Sequence, residues 1–432
     1  MATIPGVEHQ PRIADDHLAE LLSALPAVSI EGPRAVGKTW TASRLANTVY
    51  ALDDPEVFAD VEADPHMLTR GEPPILIDEW QRLGSAWDIV RRAVDRDFGP
   101  GQFILTGSAR PRTQPVHSGA GRMVTLRMWT TTLAERHRGQ SSVSFAALLG
   151  GDRPEISGES SLTLQDYAEE IVSGGFPGWT GVSGQVRELL AESYLHQLVE
   201  HDFRLAGHRV RNPAAVRRWL RSYAAATATT AAFETIRDAA TPGESDKPAK
   251  TTTIAFRDTL EAMWVLEPLP AWLPVGSHLS RLKRGPKHHL ADTALAARLL
   301  DADVDSLLGG APAVMRGIGA APAAANLLGA LFESMVAHDV RVHAHRTGAS
   351  VSHMRTWNDE REVDLIVEHR GRVLAVEVKL GAEVTARDTR HLRWLRDRLG
   401  PTLLDAMVVN TGEAAYRDGD GIAVVPAGLL GP

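Results

Sequence analysis

Gly32-Pro33-Arg34-Ala35-Val36-Gly37-Lys38-Thr39 decides how the first third of this chain is read. The spacing G-x-x-x-x-G-K-[ST] makes a phosphate cradle where it joins a strand to a helix. Both neighbours are present: Ala27-Val28-Ser29-Ile30 ahead is a short apolar run of strand character, and Trp40 to Asn47 behind can continue as a helix. A loop at a helix N-terminus turns backbone N–H groups toward an anion, and the helix dipole favours negative charge there. Gly32 and Gly37 let the backbone curl, Pro33, Ala35 and Val36 complete the cradle, and Trp40 lies on the first helical turn. Arg34 is a phosphate or packing contact. Lys38 would reach the β- and γ-phosphates of ATP, and Thr39 would hold Mg²⁺.

Pro74-Ile75-Leu76-Ile77-Asp78-Glu79 is an apolar strand ending in two acids. A parallel strand buried on both faces reads as such a continuous run, and an open α/β sheet binds ligands at the C-terminal ends of its strands. Asp78 would sit on Mg²⁺, directly or through water, and Glu79 would polarise the attacking water. Gly101-Gln102-Phe103-Ile104-Leu105-Thr106-Gly107-Ser108 starts 22 residues after Glu79, with a helix-length segment between, as a βαβ repeat requires. Thr106 and Ser108 either sense the γ-phosphate or cap an ordinary strand end.

A length of 432 residues implies two to four domains, and 44% hydrophobic residues can bury real cores. No apolar run approaches the ~18 residues that span a bilayer, and the N-terminus carries no leader pattern. The absence of cysteine rules out disulfides, thiolate zinc sites and cysteine nucleophiles and fits a cytoplasmic protein. A net charge of −8 argues against wholesale coating by nucleic acid, so such binding would need local patches.

The pattern divides into an α/β nucleotide domain (1–145), a mostly helical region (162–300) and a last α/β domain (326–432). In the middle region Asp166 to Val172 and Val186 to Glu200 carry apolar residues at helical spacing, around the loop Gly174-Gly175-Phe176-Pro177-Gly178. Phe256 to Met263 followed by Trp264-Val265-Leu266-Glu267-Pro268-Leu269 suggests a winged helix-turn-helix. Arg209, Arg211, Arg217, Arg218 and Arg221 form one basic cluster; Arg281, Lys283, Arg284, Lys287, His288 and His289 form another. Each is either a solvated face or a contact to DNA phosphates.

The last domain carries a second candidate site. Glu362 to Glu368 and Val373 to Lys379 alternate polar and apolar about Arg370-Gly371. Arg370-Gly371 as a two-residue turn, or as the centre of a four-residue one, pairs residues whose numbers sum to 741, placing Asp364 opposite Glu377 with Lys379 further along the same face, whereas a three-residue turn would break this register. Val363, Leu365, Val367, Leu374, Val376 and Val378 would then form the buried face. Opposed carboxylates repel, a divalent cation would relieve that, and a neighbouring lysine can orient water. The bland alternative is a solvated polar face.

Together these residues resemble the bacterial and archaeal AAA-type ATPases whose C-terminal part is a domain of unknown function with a restriction-endonuclease-like fold. The resemblance rests on Pro11-Arg12-Ile13, the glycine loop, Ile77 to Gln81, Leu105 to Ser108, Gly119-Ala120-Gly121-Arg122, Gly174 to Pro177, His201-Asp202, Lys287 with Asp292, Leu331-Phe332-Glu333 and the two C-terminal strands. It implies a P-loop ATPase domain, a winged-helix middle and a nuclease-like end similar to the PD-(D/E)xK core. There Asp364, Glu377 and Lys379 fall on the motif and Glu333 on the acid of its first helix, with Mg²⁺ or Mn²⁺ as the implied metal. Arg122 would face the γ-phosphate, in its own chain or donated to a neighbour in a homo-oligomer. The implied activities are ATP hydrolysis and DNA binding, with metal-dependent DNA cleavage kept open. The alternative is a nucleotide-gated switch whose nuclease fold only binds. Trp40 after the loop threonine, His201 before Asp202, and the stretch from Met128 to Glu135 without a proline depart from the family pattern.

Overall fold

The computed structural model describes residues 10–108, 121–205, 212–241, 249–273, 285–309, 324–357 and 360–432. Arg209, Arg211, Gly119, Ala120, Arg281, Lys283 and Arg284 lie outside them. The chain forms two compact units. The first holds Met1–Thr131 with the short segments Phe176–Gly178 and Ala262–Trp264; the second holds the rest.

The first unit runs α1 (Ile13–Ala24), β1 (Ala27–Glu31), α2 (Lys38–Ser43), β2 (Thr48–Ala51), α3 (Pro55–Ala63), β3 (Ile75–Asp78), α4 (Ala86–Arg96), β4 (Phe103–Gly107) and β5 (Met123–Arg127). Local chemistry sets several boundaries. Asp54 caps α3 through the Glu56 N–H, with Pro55 at the first helical position. The strands form one parallel sheet in the order β2-β3-β4-β1-β5. One core cluster packs Ile75, Ile77, Phe103 and Leu105 with Trp80, Trp87, Ile89 and Val90. Because β4 lies between β1 and β3, the acids ending β3 reach the loop after β1 across the end of β4.

The second unit begins with α5 (Leu133–Arg136), β6 (Val143–Ser144), α6 (Phe145–Gly150), α7 (Leu164–Ser173), α8 (Gly184–Gln197), α9 (Phe203–Leu205), α10 (Pro213–Ala225), α11 (Phe233–Ala239) and α12 (Lys250–Ala262). Antiparallel bridges Leu266↔Leu290 and Leu269↔Lys287 follow, then α13 (Thr293–Leu299) and α14 (Val304–Gly309). Asp292 caps α13 through the Ala294 N–H at 2.9 Å and accepts from the Gly175 N–H at 2.8 Å. Its carboxylate fixes Gly174: a Cβ there would lie 2.2 Å from Asp292 Oδ1, and φ is +67°.

The unit ends with α15 (Ala324–Thr347), β7 (Ser350–Arg355), β8 (Glu362–His369), β9 (Arg372–Val378), α16 (Arg390–Leu399), β10 (Leu403–Asn410), β11 (Tyr416–Arg417), β12 (Ala423–Pro426) and β13 (Leu430–Gly431), which pairs with β6. The larger sheet has the order β11-β12-β10-β9-β8-β7. Pairings β7–β8 and β8–β9 are antiparallel, and β9–β10, joined through α16, is parallel. The turn between β8 and β9 is Arg370-Gly371, with φ +50° and +75°, as a two-residue primed turn needs. The register is the one that turn predicts: Leu365↔Val376, Ile366↔Ala375, Val367↔Leu374. The solvated face is corrected. Ile366, Val373 and Ala375 pack with Leu392 and Leu395 of α16, and Asp364 and Glu377 are buried.

Candidate nucleotide site and C-terminal acidic cluster

The glycine loop joins β1 to α2 at the C-terminal edge of the parallel sheet. Gly37, at φ +95°, is the residue before α2. Gly32 is required by close approach: a Cβ there would meet the Met128 carbonyl oxygen at 2.1 Å. Lys38 is buried, and its ammonium donates to the Gly32 and Pro33 carbonyls at 3.0 and 2.6 Å. Burial lowers its pKa to about 8. Arg34 and Ala35 are exposed, and Trp40 is half-buried in α2.

The acids of β3 meet this loop. Thr39 Oγ1 donates to both Asp78 oxygens, at 2.9 and 3.0 Å, and Thr106 at the end of β4 also donates to Asp78. Burial raises the Asp78 pKa, while the hydroxyls of Thr106 and Thr39 pull it back. Glu79 takes the left-handed conformation (φ +52°), and its oxygens accept from Ser108 at 2.9 Å and from Gln81. Thr106 and Ser108 therefore hold the two acids. Thr39 and Asp78 fit a hard divalent cation, since a hydroxyl and a carboxylate at a helix N-terminus are oxygen donors of the kind Mg²⁺ takes.

Two arginines lie near the loop: Arg12, from the Pro11-Arg12-Ile13 stretch of the resemblance but given no role by it, and Arg127, which the sequence does not single out. Arg12, nearly buried, donates to the Val36 carbonyl at 2.9 Å and to the Trp129 carbonyl at 2.8 Å, tying the loop to the chain after β5. Arg127 ends β5, lowers the Lys38 pKa by its charge, and lies 3.4 Å from the Trp264 ring centroid. The detectable signal was position, since both require β5 and its place beside β1. The expectation that Arg122 faces the γ-phosphate within its own chain is corrected. Arg122 precedes β5 at the N-terminal edge of the sheet, roughly 15 Å of strand from the phosphate end. It ion-pairs with Asp95, so it does not face the loop of its own chain.

The C-terminal acids also assemble, but around lysine. Lys287, only 2% exposed, places Nζ 2.7 Å from Glu333 Oε1, 2.9 Å from Asp364 Oδ1 and 3.1 Å from Glu362 Oε1. Asp364 Oδ2 accepts from the Val378 N–H at 2.9 Å, and Lys379 Nζ lies 2.7 Å from Glu377 Oε1. Burial pushes the Glu333 and Glu377 carboxyls up to about 8, reinforced by the Asp364 charge. Lys287 holds Asp364 below the ordinary carboxylate value, against its burial. Lysines stand against the three acids expected to hold metal: Lys287 against Glu333 and Asp364, and Lys379 against Glu377. Among the described residues no three acid or imidazole side chains are arranged to hold a metal ion.

The basic clusters change likewise. Arg217 pairs with Glu192 and Arg221 with Asp301, and His288 and His289 are buried with Lys287. These residues do not form a free cationic surface.

Residues 25–137 match a family described as an AAA domain. Residues 164–306 and 328–430 match two domains of unknown function, DUF8612 and DUF4143. Uncharacterized proteins of Mycobacterium bovis and Mycobacterium tuberculosis are each 28% identical, over 96% of this chain and 83% of theirs. Among solved structures, a Walker-type ATPase of Pyrococcus abyssi is similar with a TM-score of 0.40 and 14% identity, covering 66% of this chain and 94% of that one. The AAA-domain match, falling on the loop and acids described above, supports an AAA-type ATPase. No described helix is long and apolar enough to cross a membrane.

Proposed function

We propose that this protein is a Mg-ATP hydrolase acting as a nucleotide-gated switch, whose C-terminal domain is nuclease-like in fold but binds a partner rather than cutting it. One observation carries the first half: Lys38, Thr39, Asp78 and Glu79 converge at the phosphate-binding edge of a parallel sheet. Lys38 would exchange its loop carbonyls for β- and γ-phosphate oxygens. Thr39 and Asp78 would hold Mg²⁺, which neutralises phosphate charge when bound. Glu79, steadied by Ser108 and Gln81, would orient the attacking water.

The helix–three strands–helix–strand order from α15 to β10 supports the nuclease-like reading of the last domain, and Lys287 among its acids supports binding without cleavage. The helices α10 to α12 followed by antiparallel bridges support a winged helix in the middle region. DNA is the partner favoured by one feature. On α16 Trp394, packed against the core of the last domain, has the Arg361 and Arg398 guanidiniums 5.9 and 6.0 Å from its ring, and Arg390 and Arg393 stand on the same helix, Arg393 paired with Asp420.

ATP turnover with and without duplex DNA and Mg²⁺ tests these readings. Lys38→Ala should lose nucleotide binding, and Glu79→Gln should bind ATP without turning it over. Wild-type turnover in either variant would refute the nucleotide site, and turnover indifferent to DNA would remove DNA as the gating partner.

A further inference from the structure

We propose that the Lys287 ammonium occupies the position a divalent ion would take in the C-terminal acidic cluster, so that this site accepts no metal while Lys287 is in place. The inference does not depend on the ATPase reading; it sharpens the C-terminal half of the proposed function.

The argument is first one of valence. An ammonium has three N–H donors, and Nζ meets three carboxylate oxygens, from α15 (Glu333) and from two positions of β8 (Glu362 and Asp364). The remaining oxygens do not form a second cage. Asp364 Oδ2 is taken by the Val378 N–H and Glu377 Oε1 by Lys379. Glu362 Oε2 lies 3.6 Å from Arg355 Nε, and Glu377 Oε2 is buried without a hydrogen-bond partner; among the described residues no three acid side chains are arranged to hold an ion with it.

Size gives the second argument. The carboxylate oxygens stand 2.7–3.1 Å from Nζ. Mg²⁺ demands about 2.0–2.1 Å and Ca²⁺ about 2.3–2.6 Å. The cage is spaced for nitrogen, and a small hard ion would have to draw the two elements together.

The third argument is anchorage. Lys287 is no surface side chain that happens to fold inward. Its backbone exchanges both hydrogen bonds with Leu269, at 2.8 and 2.9 Å. His288 and His289 beside it are buried, bonded to the Ala231 carbonyl and to Ser334. The lysine belongs to the segment matched at 164–306, while all four acids belong to the segment matched at 328–430. The middle region thus supplies the cation that Glu333, Glu362 and Asp364 share, while the last domain's own Lys379 pairs with Glu377.

Mn²⁺ binding to the full-length chain, followed by electron paramagnetic resonance of the free ion, tests this. An Asp78→Asn background without nucleotide silences the first unit. That chain should bind no Mn²⁺, Lys287→Ala should gain one ion per chain, and adding Asp364→Asn should abolish the gain. Mn²⁺ bound by the Lys287-containing chain and lost on Asp364→Asn would overturn the proposal, as would a folded Lys287→Ala that gains no ion. Should the alanine variant fail to fold, the labelled Lys287 ammonium decides. Its resonance should be unaffected by Mn²⁺, and paramagnetic broadening that Asp364→Asn removes would overturn the inference.

Discussion

Replacing Lys287 by methionine keeps the aliphatic stem and removes the charge, and the structure fixes what that should cost. The ammonium is buried against three carboxylates, and Asp364 is fully committed to it and to the Val378 N–H. At an effective dielectric of about 20, a charge pair about 3 Å apart attracts by roughly 5 kcal/mol before desolvation is counted. Truncating one partner of a buried pair typically costs about 3–5 kcal/mol, because the other charge is left stranded. Glu333, already raised to about 8, can stay protonated. Asp364 cannot do so cheaply, since moving a carboxyl from its ordinary pKa to neutrality costs about 1.4 kcal/mol per unit. Lys287→Met should therefore destabilise the second unit by about 3–5 kcal/mol. Adding Asp364→Asn removes the stranded charge and should restore about 2 kcal/mol. Because the chain has two compact units, a single unfolding free energy is not well defined. Hydrogen exchange of β8 and β9 peptides across a urea series reads the second unit alone. A Lys287→Met loss under about 1 kcal/mol, or a double variant weaker than Lys287→Met, would refute the reasoning.

Thr106→Val removes a hydroxyl bonded to buried Asp78. Bonds to charged groups are worth about 1.5–3 kcal/mol, so turnover should need ten- to hundredfold more Mg²⁺; an unchanged Mg²⁺ dependence would count against Asp78 as the metal-side acid. Gly174→Ala places a Cβ 2.2 Å from Asp292 Oδ1 at φ +67° and should destabilise the second unit by more than about 2 kcal/mol, read by the same hydrogen-exchange series. The control Gly150→Ala, where a Cβ meets nothing within 4 Å, should be near neutral. His353, fully buried and bonded to the Gly285 carbonyl, has its pKa lowered to about 4 by burial. Its folded form resists the proton that the unfolded chain takes up, so its contribution is complete above pH ~6.5 and is lost on acidification toward pH ~4. That loss is up to about 3 kcal/mol. His353→Gln should flatten this part of the stability–pH curve, and an unaltered acid limb would contradict the assignment.

The sequence by itself determined the parts whose physics is local. The glycine loop, the β3 acids and the hairpin about Arg370-Gly371 were legible because phosphate cradling, strand termination and turn handedness are properties of consecutive residues, and the observed β8–β9 register follows from alternation together with the length of that turn. Tertiary structure decided everything that joins distant segments. The place of β5 at the sheet edge carries Arg122 away from the phosphate end and brings Arg127 to Lys38. Lys287, which reads as one more member of a basic run, becomes the counter-ion of Glu333 and Asp364, far from it in sequence. A charge run records composition, but whether a charge is solvated or buried depends on which carboxylates the fold sets against it. Electrostatic energy depends on distance in space, to which spacing along the chain gives no access.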